Sequence, residues 1–310
     1  MTALVAVRAL HFALAIQAVG AVLFVWIVGR AAASAARADQ HVQRLLLRIA
    51  VVAAAGAILS GIAWLVLQAA DMTEVGVVEA WTSGAVGGLL FKTQAGVIWW
   101  VRLALAATLL VDVGMLALAA RAPSPTAVAF AFLLAAATFV SGAWLGHAGA
   151  DPSALRPLHL AVHAAHMFGV SLWVGGLLPL AVLLGRAPGA DAAVVAARAS
   201  VWFGNIALAA VILILATGLA LAALAVESPA ELTTGPFGRL LGAKIVLVLA
   251  MLVLAARNRW QLVPLLAAAK DPANATLPLS RSVMGELALA ALVLVIAGAL
   301  GITPPGASEG

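Results

Sequence analysis

The stretch Leu155-Arg-Pro-Leu-His-Leu-Ala-Val-His-Ala-Ala-His-Met-Phe-Gly-Val-Ser-Leu-Trp-Val-Gly-Gly-Leu177 decides how this chain is read. It places His159, His163 and His166 in an apolar run long enough to cross a bilayer. Their spacing is i, i+4, i+7, which puts all three within about 60° of one another on one helix face. His147 lies just before the loop that leads into this run. Ionisable side chains are costly inside a membrane and tend to line a site or a pathway. Neutral imidazole is a common ligand for transition metals and for haem iron.

The rest of the chain agrees with a membrane setting. Of 310 residues, 65% are hydrophobic and 9% charged, against about 25% charged in a soluble domain. The fold class that follows is all-α: a polytopic membrane helix bundle whose main partner is the lipid bilayer. The net charge of +5 is spread over short loops rather than gathered in a patch, so nucleic acid is not an expected partner. There is no cysteine and no tyrosine, which excludes disulfides, thiolate metal sites, thiol catalysis and tyrosyl chemistry. No Walker or Asp-Lys-Thr-Gly motif supports a nucleotide-driven pump. No Gly-x-Ser-x-Gly or His-Glu-x-x-His supports a membrane hydrolase or metalloprotease.

Eight apolar segments approach the length needed to span, roughly 3–28, 45–70, 93–119, 125–147, 156–185, 200–226, 238–266 and 281–302. Stretches 74–90 and 190–199 read as short surface helices. Arg30, Arg37, Arg44, Arg48, Arg121, Arg186, Arg198, Arg257, Arg259, Lys270 and Arg281 fall in or beside the odd loops. The even loops hold Asp71, Glu74, Glu79, Asp151, Glu227 and Glu231. The positive-inside rule then puts the odd loops in the cytoplasm and both termini on the periplasmic side of a bacterial inner membrane. A cleaved signal peptide is the rival reading of the N-terminus, because Ala31-Ala-Ala-Ser-Ala-Ala36 resembles a cleavage region. The long apolar run with Arg8 and His11 favours a retained first span.

The two halves share polar positions in order. Arg8-Ala-Leu-His-Phe12 with Gly20 parallels Ala165-His-Met-Phe168 with Gly175 and Gly176, and Leu59-Ser-Gly-Ile62 parallels Ala216-Thr-Gly-Leu219. Thr93 to Arg102 parallels Thr234 to Lys244. The expectation is two parallel four-helix repeats, 1–150 and 151–310. At 1.5 Å per residue, His11 and Arg102 in one half, and His166 and Lys244 in the other, lie on the order of 10–15 Å below the outer surface. Each half thus offers a histidine and a cation at similar depth, able to anchor an anionic group.

At this point the chain resembles the CopD family of copper-resistance membrane proteins. The resemblance rests on His166 followed by Trp173-Val-Gly-Gly-Leu177, and on Gly238-Arg-Leu-Leu-Gly-Ala-Lys244 running to Arg257-Asn-Arg259 and Pro264. Arg281-Ser-Val-Met-Gly-Glu286, Pro304-Pro305, and Thr93-Gln-Ala-Gly96 with Trp100 and Arg102 complete it. It implies an eight-span inner-membrane protein that handles copper with a periplasmic copper-binding partner. The fifth and seventh spans also resemble the HemJ-type protoporphyrinogen oxidases, in which a histidine matching His166 is associated with haem and a lysine matches Lys244. Copper and haem b therefore both stand as expected ligands.

Two functions follow. The first is copper transport, with His147 capturing the ion and His159, His163 and His166 forming a ladder that descends about 10 Å. Met167 adds a thioether but points about 100° away from the histidine face. The second is a b-type haem redox protein with His166 and His11 as axial ligands and Lys244 or Arg102 near a propionate. A weaker third is an assembly partner of a copper enzyme. The plain alternative for the three histidines is interhelical hydrogen bonding. Glu286 reads first as an ion-pair partner of Arg281, Arg257 or Arg259, one turn in from the cytoplasmic end; a cation or proton exit route is the sharper alternative. Asp112 reads as an arginine partner, Asn258 as a loop or cap residue, and His41 as merely solvated. Trp173 lies deep beside Gly175 and Gly176, whereas Trp64, Trp99 and the other tryptophans read as belt residues near span ends.

Overall fold

A computed structural model describes residues 2–31, 36–146, 149, 152–186, 190–225, 235–269 and 272–303. His147, Asp151, Pro188, Glu227, Glu231, Thr234, Lys270 and Pro304-Pro305 lie outside the described residues.

The elements are helical throughout, as lipid demands when every backbone N–H and C=O must find a partner within its own segment. They run α1 (Thr2–Ala31), α2 (Ala36–Thr73), α3 (Val77–Thr82), α4 (Ala85–Lys92), α5 (Gln94–Leu118), α6 (Pro125–Val140), α7 (Arg156–Gly185), α8 (Ala190–Ala225), α9 (Gly235–Arg257), α10 (Val263–Ala268) and α11 (Pro272–Leu300). A 3₁₀ turn, Ser141–Leu145, extends α6, and a π turn, Asn258–Leu262, joins α9 to α10. Among the described residues eight helices are long and apolar enough to cross a membrane. The protein is a multi-pass helical membrane bundle.

Local chemistry sets several boundaries. Thr93 Oγ1 accepts from Gly96 N at 3.0 Å to start α5, and Ser124 Oγ accepts from Ala127 N at 3.2 Å, with Pro125 next, to start α6. The surface segment expected at 74–90 is two short helices, divided where Gly84 adopts φ +82°. The stretch 190–199 is not a separate surface helix, because it continues without a break into α8. The last span also begins earlier than expected, at Ala275.

Burial ranks the helices. Inside the bundle α1 has 67% of its apolar window buried and α7 has 61%, whereas α8 has 11% and the α9–α10 span 6%. The central pair is therefore α1 with α7, and the outer helices present their apolar side chains to lipid. Gly20 and Gly175 form the crossing. A Cβ on Gly20 would overlap the Gly175 carbonyl, and one on Gly175 would press on Ile16 O and Gly20 N. Small residues let two backbones approach this closely, and in lipid such packing replaces the hydrophobic drive. Beyond the crossing, Gly176 lies against the Phe203 ring, which stands 5.2 Å from Phe24.

Candidate functional site

Two histidine sites flank this central pair, and they share a construction. On α1, His11 Nδ1 lies 3.0 Å from Ala57 O and 3.2 Å from Ser60 Oγ on α2. On α7, His166 Nδ1 lies 3.1 Å from Thr217 Oγ1 on α8, with the backbone of Ile214 beside it. Ser60 donates to Gly56 O, and Thr217 donates to Leu213 O at 2.6 Å. Each ring also lies over a glycine: a Cβ on Gly61 would meet His11 Cε1 at 3.3 Å, and one on Gly218 would meet His166 Cε1 at 3.5 Å. The offset from Ala57 to Ile214, Ser60 to Thr217 and Gly61 to Gly218 is 157 residues each time, and His11 to His166 and Gly20 to Gly175 are each 155 apart.

These bonds determine the tautomers. Because each hydroxyl spends its proton on its own helix, it can only accept from the imidazole. Nδ1 therefore carries the hydrogen in both histidines, and Nε2 presents a lone pair.

The two sites differ at Nε2. In the first, Arg102 of α5 donates to His11 Nε2 at 2.8 Å, and its other amino group reaches Thr138 O at 3.3 Å and Ser141 Oγ at 3.2 Å. An arginine can only donate, so the His11 lone pair is consumed. Tryptophans close the site: Trp64 packs edge-on to His11 at 5.4 Å and to Trp99 at 5.2 Å, Arg8 lies 4.9 Å over Trp64, and Arg102 lies 5.7 Å over Trp99. Trp64 and Trp99 are thus buried members of this cluster and not belt residues. Arg8 also donates to Gly301 O at the end of α11.

In the second site no described residue bonds His166 Nε2. Lys244 on α9 and His163 on the preceding turn lie close enough to act on the ring electrostatically. His159, His163, His166 and Lys244 are all half-buried. His163 Cε1 approaches Gly146, where a Cβ would sit 3.7 Å away; this is the residue before His147. Met167 turns the other way, as the helical spacing requires: it is buried, with its methyl beside Gly142 in the first-half cluster. Among the described residues no three His, Asp or Glu side chains gather so as to hold one metal ion. The α7 histidines are successive positions along a face.

The haem alternative finds no support in this geometry. Bis-histidine ligation needs one free nitrogen on each ring, and both His11 nitrogens are engaged. The two histidines are moreover turned to different helices, α2 and α8.

Three acidic and amide expectations change. Glu286 lies 11 residues into its span, not one turn, and among the described residues it takes no arginine partner. Its carboxylate accepts from Asn258 Nδ2, and the Trp173 indole faces it. Asn258 is accordingly a buried partner and not a loop or cap residue, and Arg259 turns away to Gly204 O and Asn205 Oδ1. Among the described residues Asp112 also lacks the expected arginine, and its Oδ2 is buried without a hydrogen-bond partner. His41 is exposed, as expected.

Sequence reasoning placed Ser60 and Thr217 in matching motifs but missed their bonds to the histidines. It also missed Thr138 and Ser141 as supports of Arg102. A helix-borne hydroxyl immediately before a glycine, as in Ser60-Gly61, Ser141-Gly142 and Thr217-Gly218, was the available signal.

Comparison with known proteins matches both parts of the chain. The family Copper resistance protein D matches residues 197–300, and Copper resistance protein D-like, N-terminal domain, matches residues 1–157. Inner membrane protein YebZ of Escherichia coli (strain K12) is 33% identical over 218 residues, which cover 70% of this chain and 71% of YebZ. No solved structure matches the chain.

Proposed function

The chain belongs to the copper resistance protein D family, and on that premise we propose that it carries copper across the bacterial inner membrane along the histidine face of α7. Copper is the cargo. It arrives at the periplasmic side, from a copper-binding protein, at His147, and passes to His159, His163 and then His166. Both termini lie on that periplasmic side. The chain acts as two parallel four-helix units, 1–150 and 151–310, of which only the second keeps its histidine open to metal.

One observation carries this reading: Thr217 holds His166 in the tautomer whose Nε2 lone pair is available. Metal-ligating histidines are typically oriented in this way by a hydrogen bond at the other nitrogen. Support also comes from the order of groups along the face. His163 stands between the turn that precedes His147 and the His166 ring. Imidazoles spaced along a path supply several sites of moderate strength, which lets an ion move on, where one tight site would trap it. Lys244 beside the last rung disfavours a resident cation there and so promotes release.

The test is copper flux into liposomes holding the purified protein, measured with a luminal copper indicator. Flux should fall at least about tenfold in His163→Ala and His166→Ala, and stay at the wild-type level in His41→Ala. Equal flux in all three would end the proposal.

A further inference from the structure

A second buried site lies on the other side of Trp173, away from the histidine ladder. Glu286 on α11 is 2% exposed and Asn258 on the π turn is 8% exposed. Asn258 Nδ2 donates to Glu286 Oε1. That leaves Glu286 Oε2 and Asn258 Oδ1 both buried with no hydrogen-bond partner. Orphaned buried acceptors are costly, more so when charged, so a site that keeps two is suited to receive a donor. Both residues line a cavity of about 120 Å³ bounded by α7, α8, α9, α10 and α11, with Trp173, Phe203 and Leu279 in its walls. The exposed Trp260 stands at its edge. The π turn is what turns Asn258 inward, and single π turns inside helices recur at functional positions.

We propose that Glu286 and Asn258 form a proton-binding site inside the membrane, exchanging its proton with water through this cavity. The binding step forms one bond. A proton delivered by water joins Glu286 Oε2, the carboxylate becomes a neutral acid, and the new O–H donates to Asn258 Oδ1 once the amide has turned. On release the proton returns to cavity water and the amide N–H again donates to the carboxylate. The volume has room for a few waters at about 30 Å³ each. Its walls are apolar apart from Ser200, Asn258, Arg259, Glu286 and the two tryptophans, so water can be held only at the Glu286–Asn258 end. A metal ion fits less well, since the two oxygens have no third His, Asp or Glu beside them among the described residues.

The charged surroundings are sparse. Arg259 on the same turn is bonded to Gly204 O and Asn205 Oδ1 of α8. Arg257 and Arg281 line a separate cavity with Ser282 and Gly285. From α7 the group that faces Glu286 is Trp173, and from α8 the polar cavity residue is Ser200. Along α9, Lys244 is 14 residues before Asn258, about 21 Å away. On α1, Arg8 is bonded to Gly301, 15 residues beyond Glu286, about 22 Å along α11. Among the described residues the carboxylate is bonded to Asn258 and to no cation, so a proton is the charge that can neutralise it.

The site stands apart from the identity of the cargo. Its test is infrared difference spectroscopy of the full chain in lipid nanodiscs, between alkaline and acidic buffer. A protonated-carboxyl C=O band should grow on acidification, shift in D₂O, and vanish in Glu286→Gln. Asn258→Ala should move its midpoint by about one pH unit through loss of the amide partner. Should Glu286→Gln fail to fold, the D₂O shift in the wild type and the Asn258→Ala midpoint still decide. A band unchanged in Glu286→Gln, a band that does not shift in D₂O, or no titrating band at all overturns the proposal. So does a Glu286 carboxylate band that responds to added copper and not to pH, which would mark a metal site.

Discussion

Arg102 donates to His11 Nε2 at 2.8 Å, joining α5 to α1 across 91 positions of sequence. Among the described residues the corresponding nitrogen of His166 has no such partner. Two histidines with the same tautomer and the same hydroxyl support thus have opposite fates, one locked into structure and one open to a ligand.

The Arg102 contact can be undone. Arg102→Met should free the His11 lone pair and add about one bound copper per protein, measured by metal analysis after gel filtration. It should also lower stability. A double-mutant cycle with His11→Ala should return a coupling of about 1–3 kcal/mol. Unchanged copper content would mean that His11 is sterically closed to metal by Trp64 as well.

Thr217 sets the His166 tautomer through a 3.1 Å bond. Thr217→Val keeps the shape and removes the acceptor, so copper affinity should drop about 10- to 100-fold, the usual effect of losing a ligand's outer partner. Ser60→Ala, the same change at the first site, should leave affinity alone and cost roughly 1 kcal/mol of stability. Competition with a chromogenic chelator reads both.

Lys244 acts on His166 from the facing helix. Removing a like charge beside a bound cation favours the bound state, so Lys244→Met should retain copper about tenfold longer and slow flux in parallel. Stopped-flow release to a chelator distinguishes this from loss of binding, which would instead make Lys244 a ligand.

At the α1–α7 crossing, Gly20→Leu requires the two backbones to separate, because even a Cβ there overlaps Gly175 O. The substitution should abolish the monodisperse peak in fluorescence-detected gel filtration, and Gly20→Ala should lower the apparent melting temperature sharply. Gly185→Ala, where a Cβ meets nothing within 4 Å, is the control.

The number and type of spans were legible because membrane insertion is decided locally. A run of about 20 apolar residues must be helical in lipid whatever its neighbours do, and the eight spans follow from composition alone. The family was legible too, since its motifs keep their order from Thr93 to Glu286. The common face of His159, His163 and His166 came from helical periodicity.

What periodicity could not supply was the partner of each polar group. That depends on which helices touch and at what height, and apolar helices offer few signals of either. His11 looked like a ligand until α5 brought Arg102 to its Nε2, and Glu286 looked like an arginine partner until the π turn brought Asn258 to it. In each case the sequence by itself determined that an ionisable group would lie within a membrane span. Only the tertiary structure decided which neighbour would satisfy it, because inside lipid a buried polar atom must take its partner from whatever helix packing places within 3 Å or so.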